Sequence, residues 1–205
     1  LRLDGHPPLY FYLLHLFSSF TIGKFSKWTG FILNAICFFI LEIYLYRIAL
    51  LLSKDRIMAL IVMVFFGFTT GAVNIVTFIR MYCLLCAMTA MFSFYSLKYV
   101  DEVNNKKETG LTLILAFTSM VLVGLTQYQG IVFAFFLTLF ECVYFLIKKK
   151  YKKMFSFGIT MLGAVILVVI LFPVVIRQLN EPQSPIDNST LYPFLFQLRL
   201  SINHI

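Results

Sequence analysis

Arg80 stands in the run TFIRMYCLL, a guanidinium set among apolar neighbours. Burying that charge without a partner is costly, so it calls for an anion or a route to the edge of the apolar layer. Two readings follow: a side chain that snorkels to lipid headgroups, or a clamp for a phosphate, whose oxygens suit the planar fork of donors. A second polar cluster, Asp4-Gly5-His6-Pro7-Pro8, precedes the apolar stretch LYFYLLHLF. Its prolines suit the first turn of a helix, where a backbone donor is dispensable and φ is already fixed. Further polar groups fall between apolar runs at Gln127, Tyr128 and Gln129, and again in RQLNEPQSPIDNSTLY from Arg177 onward. Glu42 and Glu141 lie inside apolar runs near Arg47 and Lys148, which reads as structural pairing or snorkelling. Cys37, Cys83, Cys86 and Cys142 also fall in apolar runs, where they pack as small hydrophobes; Cys83-Leu-Leu-Cys86 lacks the loop context and further ligands of a zinc site.

The elements that must position these groups are set by composition. With 60% hydrophobic, 18% aromatic and 13% charged residues, the chain is far below the roughly 25% charge of soluble domains. We read it as an integral membrane protein of the cell membrane, all-α and polytopic. Apolar runs at about 28–51, 57–79, 81–99, 110–127, 130–147 and 154–176 predict six spans of a bilayer core about 30 Å thick. The shorter run from Leu9 to Phe20 predicts an interfacial or re-entrant helix, with Leu9, Tyr12, Leu13, Leu16, Phe17 and Phe20 recurring at helical spacing. The expected organisation is an external juxtamembrane segment with that helix over 1–27, a bundle over 28–176, and an external loop leading into a further apolar segment over 177–205. The chain opens on Leu and ends inside an apolar stretch, and is read as a fragment.

Basic residues give an orientation. The block KKKYKK, Lys148 to Lys153, is the strongest cytoplasmic signal. Counting spans from it places ten Lys and Arg inside against six outside, so one topology is favoured. The basic residues lie in short loops and orient the chain; they do not form a nucleic-acid footprint, and no nucleic acid is expected as a partner. In this topology Asp4, His6, Arg80, Gln127–Gln129 and Arg177 all fall on the external side.

Three stretches taken in order, DGHPPLYFYLLHLF, FIRMYCLLCAM and LTQYQGIVFAFF, resemble the polytopic GT-C glycosyltransferases of the family 39 type, which include protein mannosyltransferases and bacterial lipid-linked sugar transferases. Members similar to this chain read D-x-H-P-P-L-Y-Y, then R-M-Y at the outer start of a later span, then T-x-Y-Y or H-Y at another outer end. Asp4, His6, Pro7, Pro8, Leu9 and Tyr10 match the first; Arg80, Met81 and Tyr82 match the second. Thr126 and Tyr128 match the third, with Gln129 where the family often has an aromatic or His-Tyr. FPVVIRQL, Phe172 to Leu179, is similar to the family's exit from a later span. The resemblance implies a GT-C-like bundle that transfers a sugar from a polyprenyl-phosphate donor to an acceptor outside the membrane. It implies that Arg80 and Tyr82 bind the donor phosphate and that Asp4 and His6 position the acceptor or a divalent cation. Tyr10, Gln127, Tyr128, Gln129 and Arg177 would line the site, and the catalytic carboxylate would lie upstream of Leu1.

A rival reading is a multi-pass transporter or lipid-phosphate-binding protein that uses the same external residues without catalysis. Such transporters carry internal repeats and broken midplane helices, and no repeat is visible here. A packing subunit of a larger membrane complex is a third reading. Sugar and acceptor identity are not written in these residues.

Overall fold

Apolar runs of this length satisfy every backbone donor and acceptor internally only by winding into helices. A computed structural model describes residues 9–19 and 27–173, and among them there are helices and no strand. In chain order they are α1 (Leu9–Ser19), α2 (Lys27–Ser53), α3 (Arg56–Gly67), α4 (Thr70–Thr77), α5 (Tyr82–Asn104), α6 (Gly110–Thr126), α7 (Tyr128–Ile147) and α8 (Tyr151–Leu171). All the contacts described below lie within one unit, His6–Phe172.

Four of these helices, α2, α5, α7 and α8, are each long and apolar enough to cross a membrane. The predicted second span is not one rod: α3 and α4 meet at a 60° bend, and the pair together would make a fifth crossing. Thr69 causes the break, because its hydroxyl accepts from the Ala72 amide and restarts the helix after Phe68. Helix α6 is apolar but has 17 residues, about 26 Å at the usual rise, a little short of the hydrocarbon thickness.

Helix α5 is the centre, packed against α2, α6 and α7. Cys83, Ala87, Phe92, Ser96 and Tyr99 are fully buried along it. The Tyr99 ring stacks on Phe157 of α8 at 5.1 Å and meets Phe145 of α7 edge-on at 5.9 Å, so one aromatic residue ties three helices together. Close approach elsewhere depends on missing side chains, as is usual where helices pack without a strong hydrophobic drive between them. A Cβ on Gly130 would lie against the Val123 side chain and 2.8 Å from Leu85, so α7 touches both α6 and α5 there. Gly130→Leu is therefore expected to lower stability by about 1–3 kcal/mol through overpacking. Thermal unfolding in detergent checks this, with Gly110→Ala as the control, since a methyl group there meets open space.

Helix α1 forms as the short apolar run predicted, but its buried face differs from the expected stripe. Tyr10 is buried and Leu9, Leu13, Leu14 and Phe17 pack against the core, while Tyr12 and Leu16 are exposed. The reason is that α1 lies against α2 and α6, and their surfaces select the face. Phe20 lies outside the described residues.

Contacts sort the helix ends into two sets. At one end, Lys150 Nζ donates to the Val103 carbonyl (3.1 Å) and to Asn104 Oδ1 (2.8 Å), Lys153 Nζ donates to Thr109 Oγ1 (3.2 Å), and Lys54 pairs with Asp101 (3.4 Å). The basic block is thus stitched to the end of α5 and the start of α6, and the end of α2 is tied to α5. The opposite end carries the start of α5 and the junction of α6 with α7, joined through Gly130 and Leu85.

Candidate functional site

The end away from the basic block is organised by a residue that sequence reasoning passed over. Asn34 lies one to two turns into α2, fully buried among apolar neighbours. A buried amide must find partners, and this one finds them on a neighbouring segment. Its Nδ2 donates to the carbonyls of Val76 (3.2 Å) and Phe78 (2.9 Å), where α4 ends. Its Oδ1 accepts from the Tyr10 hydroxyl (3.4 Å), and its main-chain carbonyl accepts from the Cys83 thiol (3.2 Å). Four segments, α1, α2, the end of α4 and the start of α5, therefore meet at one residue. Burial pushes the Tyr10 phenol up to about 12, so it remains a donor across the physiological range.

The turn held by Asn34 is the one that carries Arg80. Between Thr77 and Tyr82 the chain leaves one helix and enters the next, with the Arg80 amide donating to the Phe78 carbonyl at 2.7 Å. Beneath it, Gly30 of α2 makes room for Ile79, whose side chain occupies the space a Cβ would need. The Arg80 side chain is exposed and its guanidinium lies 5.1 Å from the Phe78 ring centre. Among the described residues no carboxylate pairs with it. Phe78 also stacks on Tyr82, with ring centres 6.3 Å apart and planes 6° from parallel. Arg80, Phe78 and Tyr82 thus form a short stack: a cation on an aromatic pair.

Beside this stack lies a groove of about 550 Å³ between α4 with its exit turn and α5. Phe78, Tyr82, Ile75 and Cys86 give it apolar walls, and Asn74 and Thr77 add polar edges. Such a groove suits an apolar chain that ends in a polar group near a cation.

Gln127, Tyr128 and Gln129 are at the same end. Gln127 adopts an extended backbone and breaks α6 from α7 in one residue. Gln129 is exposed, whereas Gln127 Oε1 and the Tyr128 hydroxyl are buried with no hydrogen-bond partner among the described residues. Thr29 Oγ1, near the start of α2, is in the same condition. Orphaned polar atoms cost stability and need a reason. Asp4, His6 and Arg177 lie outside the described residues. No three metal-ligating side chains gather among the described residues.

Both glutamates depart from expectation. Arg47 does not reach Glu42; its guanidinium lies 5.6 Å from the Tyr44 ring and 5.8 Å from the Phe94 ring. Lys148 does not reach Glu141, and its ammonium sits 5.9 Å from the Tyr144 ring. Rings one turn back on the same helix, joined for Arg47 by Phe94 of α5, take both cations. Glu141 is 2% exposed and has the buried Ser96 hydroxyl of α5 beside it, whereas both Glu42 carboxylate oxygens are without hydrogen-bond partners among the described residues.

No family model, curated protein or solved structure matches this chain.

Proposed function

We propose that this chain is part of a polytopic glycosyltransferase of the GT-C type, with six spans in the cell membrane, that transfers a sugar from a polyprenyl-phosphate donor to an acceptor on the extracytoplasmic side. The resemblance of the DGHPPLYFYLLHLF, FIRMYCLLCAM and LTQYQGIVFAFF stretches supports the family. The observation that carries the reading is the Asn34 junction. Through it Tyr10, from the first stretch, shares a side chain with the turn that bears Arg80, from the second. The third stretch lies at the same end through Gly130 and Leu85. In this reading Arg80 holds the donor phosphate and stabilises the charge it gains as the sugar leaves. Tyr82 and Phe78 flank the phosphate, the groove takes the first isoprene units, and the orphaned Gln127 and Tyr128 atoms face sugar or acceptor hydroxyls. A bilayer-confined donor requires such a site at the membrane boundary.

The test is turnover: the intact protein, reconstituted in vesicles with polyprenyl-phosphate mannose or glucose and a membrane extract as acceptor, should release free polyprenyl phosphate. The rival reading, a transporter, draws support from Glu42, whose carboxylate has no partner among the described residues, and from the buried Glu141, because carboxyls within apolar helices commonly mark ion or proton paths. Solute uptake without polyprenyl phosphate release would decide for it. Orientation is checked separately by labelling single cysteines in a background free of the native four: Gln129→Cys should react from outside, and Lys152→Cys only after the membrane is permeabilised.

A further inference from the structure

The basic end of the bundle carries a feature that the proposed transfer reaction does not use. Three helices end there, and each is closed by a lysine in the left-handed region: Lys54 (φ 58°) after α2, Lys106 (φ 55°) after α5 and Lys149 (φ 57°) after α7. The closing hydrogen bonds are those of ordinary helix caps, with the Lys54 amide donating to Leu50, Lys107 to Glu102 and Lys150 to Phe145. Glycine normally occupies this position, since any side chain there costs about 1 kcal/mol or more. Three lysines therefore accept strain where glycine would have none, and what they add is charge.

Between α2 and α5 at this end lies a groove of about 430 Å³, which Lys54, of these three, lines. Four cations line it: Arg47, Lys54, Lys98 and Lys107. Its two carboxylates are already engaged, Asp101 with Lys54 at 3.4 Å and Glu102 with Lys98 at 3.6 Å. Arg47 and Lys107 are left without a carboxylate among the described residues. Arg47 is fixed against Tyr44 and Phe94, so its guanidinium is presented in one place. Leu50, Leu51 and Phe94 supply apolar walls. From Arg47 to Lys54 the groove runs two helical turns, about 10 Å, from the helix end into the apolar band.

We propose that this groove binds the headgroup of an anionic phospholipid. Its phosphate would sit between Arg47 and Lys107, and its glycerol and first acyl carbons would lie on Leu50, Leu51 and Phe94. A soluble anion would leave those walls in water, and a neutral lipid would leave two cations unmatched. Basic pockets between helices at the membrane edge recognise anionic lipid by this combination of charge and apolar wall.

Native mass spectrometry of the intact protein, taken from vesicles of phosphatidylglycerol mixed with phosphatidylcholine, tests the assignment. Phosphatidylglycerol should be retained preferentially. The pair Arg47→Gln with Lys107→Gln should weaken that retention about thirtyfold, and Arg47→Lys with Lys107→Arg should preserve it. Lys148→Gln with Lys152→Gln removes the same charge at the same end away from the groove, and should change retention by no more than about threefold. These side chains lie on the surface or at helix ends, and the charge-preserving pair separates loss of binding from loss of fold. Equal weakening by both glutamine pairs would mean a diffuse surface field and overturn the site. Unchanged retention in the Arg47 and Lys107 variant would do the same. Displacement of the lipid by glycerol phosphate alone would reassign the groove to a soluble phosphate.

Discussion

Arg80→Ala should lower release of polyprenyl phosphate about a hundredfold or more, the usual cost of removing one preorganised group that stabilises developing charge. The size follows from isolation: among the described residues the contact of the Arg80 side chain is with the Phe78 ring, and no carboxylate neutralises it. The fold should hold, because the side chain is exposed and its loss removes a single cation–π contact worth roughly 0.5–1 kcal/mol. Arg80→Lys should recover part of the rate, since it restores charge but not the bidentate fork. Turnover at the unsubstituted rate in the alanine variant, with the protein still folded, would remove the phosphate role from Arg80.

The second large effect should come from Asn34→Leu. The substitution keeps the γ-branched shape and deletes both donors, leaving the Val76 and Phe78 carbonyls and the Tyr10 hydroxyl without that partner. The Phe78 carbonyl keeps the Arg80 amide, so two groups are orphaned at about 1–3 kcal/mol each, and a destabilisation of about 2–6 kcal/mol is expected. Asn34 is a positioning residue in the proposed reaction: it touches no substrate but fixes the turn that presents Arg80, and misplacement by an ångström can cost about a hundredfold in rate. Asn34→Asp separates the effects, because it keeps an acceptor for Tyr10 and loses the donors to the turn. Measured in detergent and in the transfer assay, both variants should lose stability and turnover together. An Asn34→Leu protein as stable and active as the parent would show that the junction does not position the turn.

Much of the helical layout was legible in hydropathy. The runs at 28–51 and 110–127 correspond to α2 and α6 within two residues, because Trp28 and Gln127 lie close to where the apolar character changes. The bend in the second run was not read, although GFTTG contains a helix-starting threonine; averaged hydropathy is blind to a hydroxyl that caps. Helix α5 runs on to Asn104, past the predicted 99, since Asp101 and Glu102 find Lys54 and Lys98 and need no break in the helix. At the candidate site, Arg80 and the Gln127–Gln129 cluster stood out as polar groups between apolar runs. Asn34 did not, because one amide within a span carries no periodic or charge signal. Only the question of where its hydrogen bonds go would have singled it out. The glutamates misled through sequence proximity to Arg47 and Lys148, which says nothing of the rings that compete for those cations.

Helix α4 has only eight residues, well under the length at which a helix persists on its own. Its order is borrowed, in large part from the two carbonyl contacts at its far end. The least expensive excursion open to this bundle is therefore an unlatching of that short segment, with the long helices left in place. Such a release would free the turn that carries Arg80 and one wall of the groove beside it, both fastened by a single amide.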